Sequence, residues 1–435
     1  MKHGMTVSVL LLGLIFVPNL IAGGQQEAVA GEEVSIEVYY PVAVDAPIAK
    51  ILDGYIAEFE ESNPGITVKP VFSGGYGDVK TAVQTTIEGG GTPPALAVLL
   101  ATDLYDLLNA GYIAPFDPFL DSMKGEKAYL NDFYDSFLEN SRYEGQIWSL
   151  PFQRSAVVMY YNADLFRDQG IAKPDSWEAL AVAARDLTKK EGDKIVRWGI
   201  EWPSDWPYWL FQPLAIGNGQ NIVGDSDTDV FFDDPKVIEA IEYYISLSEK
   251  YEAMPSGVQA SWGAAPSNFA SGNTAMIVHS TGSLTGILNQ TDFQVGVMPI
   301  PASTKGEFAS VPGGGNLYLM DGVSDAEKAA AFRFVQFLTE PERVADFSIQ
   351  TGYIATRKSA YKTDVMKAYT GKIPQALETR DALEYAGKEL SIQNLGEVRN
   401  IFHNYIQAAF NGEMSAREAM QTAQVKAEKA LEDFK

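Results

Sequence analysis

Cysteine is absent from all 435 residues, which excludes disulfides, thiolate metal sites, a cysteine nucleophile and a lipid-modified N-terminal cysteine. Histidine is almost as scarce: His3, His279 and His403 are the only three, poor material for a metal centre. Positive charge is in deficit, with 33 Lys and Arg against 57 Asp and Glu and a formal net charge of -24. That field repels polyphosphates, so nucleic acid and anionic membranes are excluded as partners. A small anion is not excluded, because one or two arginines in a closed cleft act locally against the global charge. Reaction motifs are missing too: there is no Walker-type phosphate loop, no H-E-x-x-H and no G-x-S-x-G. Asp225, Asp227 and Asp229 open like a calcium loop, but Val230 stands where such a loop needs glycine and Lys236 where it needs glutamate. No pair of the 57 acids is marked out for glycoside hydrolysis. No cofactor is expected.

Only one apolar run is long, Val7 to Val17, and it is too short to span a bilayer. Lys2 and His3 precede it and small residues follow at Ala22-Gly23-Gly24 and Ala28-Val29-Ala30, the layout of a secretory signal peptide over 1–30, cleaved after Ala22 or Ala30. The mature chain is therefore expected to be a soluble, exported, periplasmic protein. Its loss of one Lys and one Glu (Lys2, Glu27) leaves the net charge at -24.

What is present is a full-sized core, with 46% hydrophobic residues, in a chain longer than a single core sustains. Val34 to Tyr40 alternates as a strand, Ile48, Ile51, Leu52, Tyr55, Ile56 and Phe59 recur at helical spacing, and Ile66 to Phe72 is a second strand. This is a βαβ unit. Helix from Val79 to Glu88, a strand over Ala95–Leu100 and a helix through Leu104, Leu107 and Leu108 continue the alternation, which predicts an α/β fold with mostly parallel sheets. Ser176 or Asp175 and Asp234-Pro235 read as helix starts, Ser324 with Glu327 and Ser415 with Glu418 as capping boxes. Strands are predicted over Ala275–Ser280, Val295–Pro301 and Asn316–Met320. No repeat or flexible linker separates autonomous domains, so two lobes should share several chain crossings.

Candidate site residues sit in loops and at strand ends. Ala156 to Tyr161 is a buried strand preceded by Arg154 and Ser155, which are placed at its edge facing a cleft. Tyr76 falls in the glycine-rich turn Ser73–Gly77 at the carboxyl end of the βαβ unit, where open sheets bind ligands. Trp202, Trp206, Tyr208 and Trp209 crowd a proline-broken segment and Trp262 a second loop, flat faces suited to a small-molecule cleft. Gly313-Gly314-Gly315-Asn316 removes side chains just before a strand, opening backbone N–H groups to a ligand.

Taken together these segments resemble the extracellular solute-binding proteins that feed ATP-binding-cassette importers, over almost the whole mature chain. Asn268-Phe269-Ala270-Ser271-Gly272-Asn273-Thr274-Ala275-Met276 is similar to the F-x-x-G-x-x-A-M segment of the carbohydrate-binding members. The stretch Pro151–Asn162, Gly282-Ser283-Leu284, Gly313–Gly315, Thr351-Gly352-Tyr353-Ile354 and Gly396-Glu397-Val398-Arg399 is similar to the glycerol-phosphate-binding branch. The resemblance implies a two-lobed fold, with 31–142 and 281–340 in one lobe and 143–280 and 341–435 in the other. It implies a monomeric receptor, not an enzyme, that closes on a glycerol phosphate or glycerophosphodiester and docks on the membrane permease of its importer. The ligand residues it implies are Tyr76, Arg154 with Ser155, Trp206 or Trp209, Gly314, Tyr353 and Arg399; Ser280 at a predicted strand end and Trp262 in its loop are further candidates. Two positions depart from that branch. Leu100-Ala101-Thr102-Asp103 stands where it carries a glutamate, so Asp103 is expected in that role, and Arg154 replaces a small polar residue, adding a second cation for phosphate. A neutral sugar bound by Asp103, Asn316 and the tryptophans is the alternative, and a secreted carbohydrate-active enzyme or a surface interaction protein the more distant ones.

Overall fold

A computed structural model describes residues 33–259 and 261–435; the expected signal segment lies outside them. The βαβ unit forms as its pattern predicts. Strand β1 (Val34–Tyr40), helix α1 (Ile48–Ser62) and strand β2 (Ile66–Phe72) pair β1 and β2 in parallel, and α1 buries the six residues named from its periodicity. Helix α2 (Tyr76–Glu88) begins three residues earlier than expected, because the Asp78 carboxylate accepts from the Gly75 N–H at 2.7 Å and stops the helix's first turn from fraying. Strand β3 (Leu96–Leu100) then joins β1 in parallel.

Beyond β3 the sheet turns antiparallel, so it is mixed rather than mostly parallel. Strand β4 (Leu150–Asn162) is 13 residues long and buried throughout. Along its length it pairs antiparallel first with β7 (Pro312–Met320), then with β5 (Met276–Ser280) and β6 (Val295–Met298). The order across the sheet is β5-β4-β7-β3-β1-β2, and β7 pairs antiparallel with β3. Between β4 and β5 lies helix α3 (Pro207–Gly217), after β5 the short helix α4 (Leu284–Gln290), and near the end of the chain α5 (Leu395–Phe410).

Two large apolar clusters organise the described residues. One gathers Ile36, Phe59, Leu96, Leu150, Phe152, Leu317 and Leu319; the other gathers Val157, Met159, Trp209, Leu214, Ile241, Val311 and Phe402. Phe347 and Tyr353 pack in the first and Met298 and Ile300 in the second, so the clusters divide the chain elsewhere than the expected lobe boundaries. Strand β4 passes from one cluster into the other, and beside it the chain does the same from Val311, just ahead of β7, to Leu317 and Leu319 within it, bringing Ser155 and Gly314 to the crossing. No described helix is long and apolar enough to cross a membrane.

Candidate functional site

A cavity of about 280 Å³ opens at that crossing. The ends of β1, β3 and β5 point at it: Val42-Ala43-Val44 follow β1, Leu100 closes β3 and Ser280 closes β5. Tyr76 and Tyr353 line it from the first cluster, Tyr208 and Trp209 from the second, and Trp206 packs against both. Side chains from two cores thus meet around one small space, the usual setting of a ligand cleft.

The polar groups in this wall are few and oriented. Tyr76 Oη donates to Gln153 Oε1 at 3.0 Å and lies 3.4 Å from Tyr353 Oη. Burial raises both phenols, that of Tyr353 to about 12, so they stay protonated. Trp209 Nε1 donates to the Pro312 carbonyl at 2.8 Å, which fixes its indole. Ser280 Oγ accepts from the Gly282 N–H at 3.0 Å and keeps its own hydroxyl proton for a ligand. The three glycines lie inside β7 and not in a turn ahead of it. A Cβ at Gly313 would collide with the Trp209 indole and one at Gly315 would meet Tyr76 Cε1 at 2.5 Å, so these glycines let both aromatic walls close on the strand.

Arg154 is not at a strand edge. Because β4 begins at Leu150 and pairs with β7 opposite Gly314, Arg154 is 0% exposed and lies behind the cavity wall. Its Nη1 donates to the Gly314 carbonyl at 3.1 Å, its Nη2 lies 3.6 Å from Glu389 Oε2, and its guanidinium sits 5.0 Å from the Phe137 ring centroid. Nε and Nη2 have no hydrogen-bond partner among the described residues. Glu389 does line the cavity, is 1% exposed and accepts from Asn140 Nδ2 at 3.0 Å. Burial pushes its carboxyl up to about 8, against the opposing pull of Arg154. The charge of Arg154 is therefore directed at Glu389 rather than at the cavity.

Residues 54–374 match the family described as bacterial extracellular solute-binding proteins. The chain belongs to that family. The sn-glycerol-3-phosphate-binding periplasmic protein UgpB of Salmonella typhimurium is 24% identical over 411 residues, covering 90% of this chain and 92% of its own. The UgpB of Escherichia coli O6:H1 is 24% identical over 448 residues, 99% of this chain and 97% of its own. Among solved structures, UgpB of Mycobacterium tuberculosis in complex with glycerophosphocholine superposes with a TM-score of 0.79 at 22% identity, covering 91% of this chain and 98% of that one. The maltose/maltodextrin-binding domain MalE of Bdellovibrio bacteriovorus bound to maltotriose reaches 0.78 at 18% identity, covering 92% and 100%. Neighbours of this kind share the two-lobed periplasmic binding-protein fold.

In this solute-binding protein Tyr76, Ser155, Trp206, Trp209, Trp262, Ser280, Gly314 and Tyr353 line one cavity. Asp103 does not: it is buried on Lys80 Nζ at 2.9 Å, which also reaches Asp106 at 2.7 Å. Asn316 is buried beneath β7, donating to Ser149 Oγ at 2.9 Å and Ser141 Oγ at 3.1 Å. Trp202 is core, its Nε1 donating to the Leu210 carbonyl at 3.1 Å. Arg399 on α5 stands one ring back from the cavity, its guanidinium 6.0 Å from the Tyr208 ring centroid. Its Nη1 is buried without a partner among the described residues. One turn on, His403 stacks on the same ring at 5.5 Å. Burial and the Arg399 charge lower His403 to about 3. Sequence reasoning missed Glu389, which no local pattern marks, and Val42–Val44, which their position just after β1 would have indicated.

Proposed function

We propose that the chain is the substrate-binding receptor of an ABC importer in the periplasm, that its lobes follow the two apolar clusters, and that it captures a glycerophosphodiester in the cavity between them. The observation that carries the ligand choice is the contrast between its two arginines. Arg154 faces a carboxylate, whereas Arg399 keeps a buried, unpartnered Nη1 beside a cavity-lining tyrosine. One uncommitted cation matches the single negative charge of a phosphodiester better than the two of a phosphomonoester. The Ser155 and Ser280 hydroxyls add donors, and the aromatic rings of Trp206, Tyr208 and Trp209 cover carbon or a cationic head group. Contacts made to both lobes only when they are together would drive closure, and the closed form would be what the permease engages.

A neutral sugar is the second reading, favoured by one observation: among the described residues no lysine or arginine side chain lines the cavity itself. A thermal-shift panel separates the two. At about 100 times its dissociation constant a ligand adds roughly 2.7 kcal/mol of stability. Glycerophosphocholine is expected to raise the melting temperature and maltose to leave it unchanged; the reverse pattern overturns the phosphodiester reading.

A further inference from the structure

We propose that the cleft continues past Trp262 into a second compartment that binds a polyhydroxylated extension of the solute; this rests on the reading that the first cavity is the solute site. The second cavity, of about 290 Å³, shares Val42, Ala43, Val44 and Trp262 with the first. Each alone lies at or below the small end of the range for small-molecule sites, about 300–1,000 Å³, whereas joined they fall within it. Their linings differ in chemistry. The first is walled by aromatic rings; the second adds Asp45, Ser267 and Gln290, and the Asp45 carboxylate disfavours a second phosphate there. Asp45 Oδ2 accepts from Gln290 Nε2 at 3.2 Å, leaving Asp45 Oδ1 and Gln290 Oε1 as acceptors. Acceptors beside a hydroxyl call for a ligand with several O–H donors.

Trp262, the partition, is held by His279. The Trp262 carbonyl can only accept, so His279 carries its proton on Nε2 and donates it at 2.9 Å, while its Nδ1 accepts from Ser283 Oγ–H at 2.9 Å. The indole stacks on the imidazole at 3.9 Å and 18°. A pinned indole at the junction gives both compartments a fixed wall.

Titration calorimetry on the full mature chain tests this with glycerophosphocholine and glycerophosphoinositol, and with maltose and maltotriose. Gln290→Trp fills the second compartment from an exposed helix end. It is expected to weaken glycerophosphoinositol at least tenfold and glycerophosphocholine less than twofold; Asp45→Ala should weaken the former alone, about fivefold. Equal losses for the short and long ligand, or no loss for either, overturn the proposal. If only the sugars bind, a tenfold loss confined to maltotriose upholds the second compartment while removing the phosphodiester reading. Binding of none of the four by the unmodified chain overturns both.

Discussion

Glu389→Ala isolates the electrostatics behind the cavity. Arg154 is 0% and Glu389 1% exposed, and their closest charged atoms are 3.6 Å apart. At an effective dielectric of about 20 that separation corresponds to an attraction of about 5 kcal/mol, opposed by the desolvation of both groups. Removing the carboxylate leaves a guanidinium with Nε and Nη2 already unpartnered and no counter-charge. The expected cost is about 3–5 kcal/mol, the usual penalty for orphaning one member of a buried pair. Arg154→Met with Glu389→Leu removes both charges together, so the remaining losses are those of the bonds to the Gly314 carbonyl and from Asn140 Nδ2, about 1–3 kcal/mol each. Urea denaturation at about pH 9, where the Glu389 carboxyl is ionised, followed by far-ultraviolet circular dichroism compares the three proteins. The double variant should be more stable than Glu389→Ala alone. A single variant that loses less than about 1 kcal/mol, or a double variant that is the least stable of all, refutes the buried-pair reasoning.

The remaining predictions concern pH, packing and capping. Burial raises Glu389 to about 8, so the folded chain holds a proton there that the unfolded chain releases, and stability falls as pH rises from about 4.5 to 8. Burial lowers His279 to about 4 and His403 to about 3, so their contribution is complete above about 6.5 and is lost as pH falls through these values. The three groups together place a stability maximum near pH 6.5. Glu389→Gln should flatten the alkaline side and His279→Gln with His403→Gln the acid side in denaturation midpoints measured from pH 4 to 8; unchanged profiles contradict the assignment. Gly313→Ala drives a methyl group into the Trp209 indole and should cost about 1–3 kcal/mol with a shifted tryptophan emission, whereas an unaltered spectrum contradicts the contact. Ser324→Ala opens the capping box with Glu327, in which Ser324 Oγ accepts from the Glu327 N–H at 3.2 Å, and should cost about 1 kcal/mol in the same urea assay without affecting ligand binding.

What the sequence made legible was local. Ser176, Asp234, Ser324 and Ser415 cap helices where the residue pattern placed them, because a cap depends on a side chain and a backbone group three residues apart or fewer. The periodicity of α1 identified its six buried residues for the same reason. Pairing was less legible. Strand β7 runs four residues further back than its apolar pattern suggested, because the glycines are recruited by β4, 160 positions away at Arg154 and Gly314. That recruitment buried Arg154, a residue whose type alone argues for the surface. Tyr76 and the tryptophans of the cavity were legible because flat rings in loops carry a recognisable chemistry, and Ser155 because it precedes a buried apolar run, whereas Tyr353 was implied by the family resemblance alone. Asp103 and Asn316 carry equally suitable groups, but long-range partners, Lys80 and Ser149, hold them elsewhere.

Arg399 decides the central claim. Calorimetric titration of glycerophosphocholine into the unmodified chain and into Arg399→Ala compares a charged hydrogen bond present with one absent, a difference of about 1.5–3 kcal/mol. The account predicts saturable binding by the unmodified chain and at least tenfold weaker binding by the variant, with the denaturation midpoint unchanged. Binding of maltose in place of the phosphodiester, or equal affinity in both proteins, would contradict it.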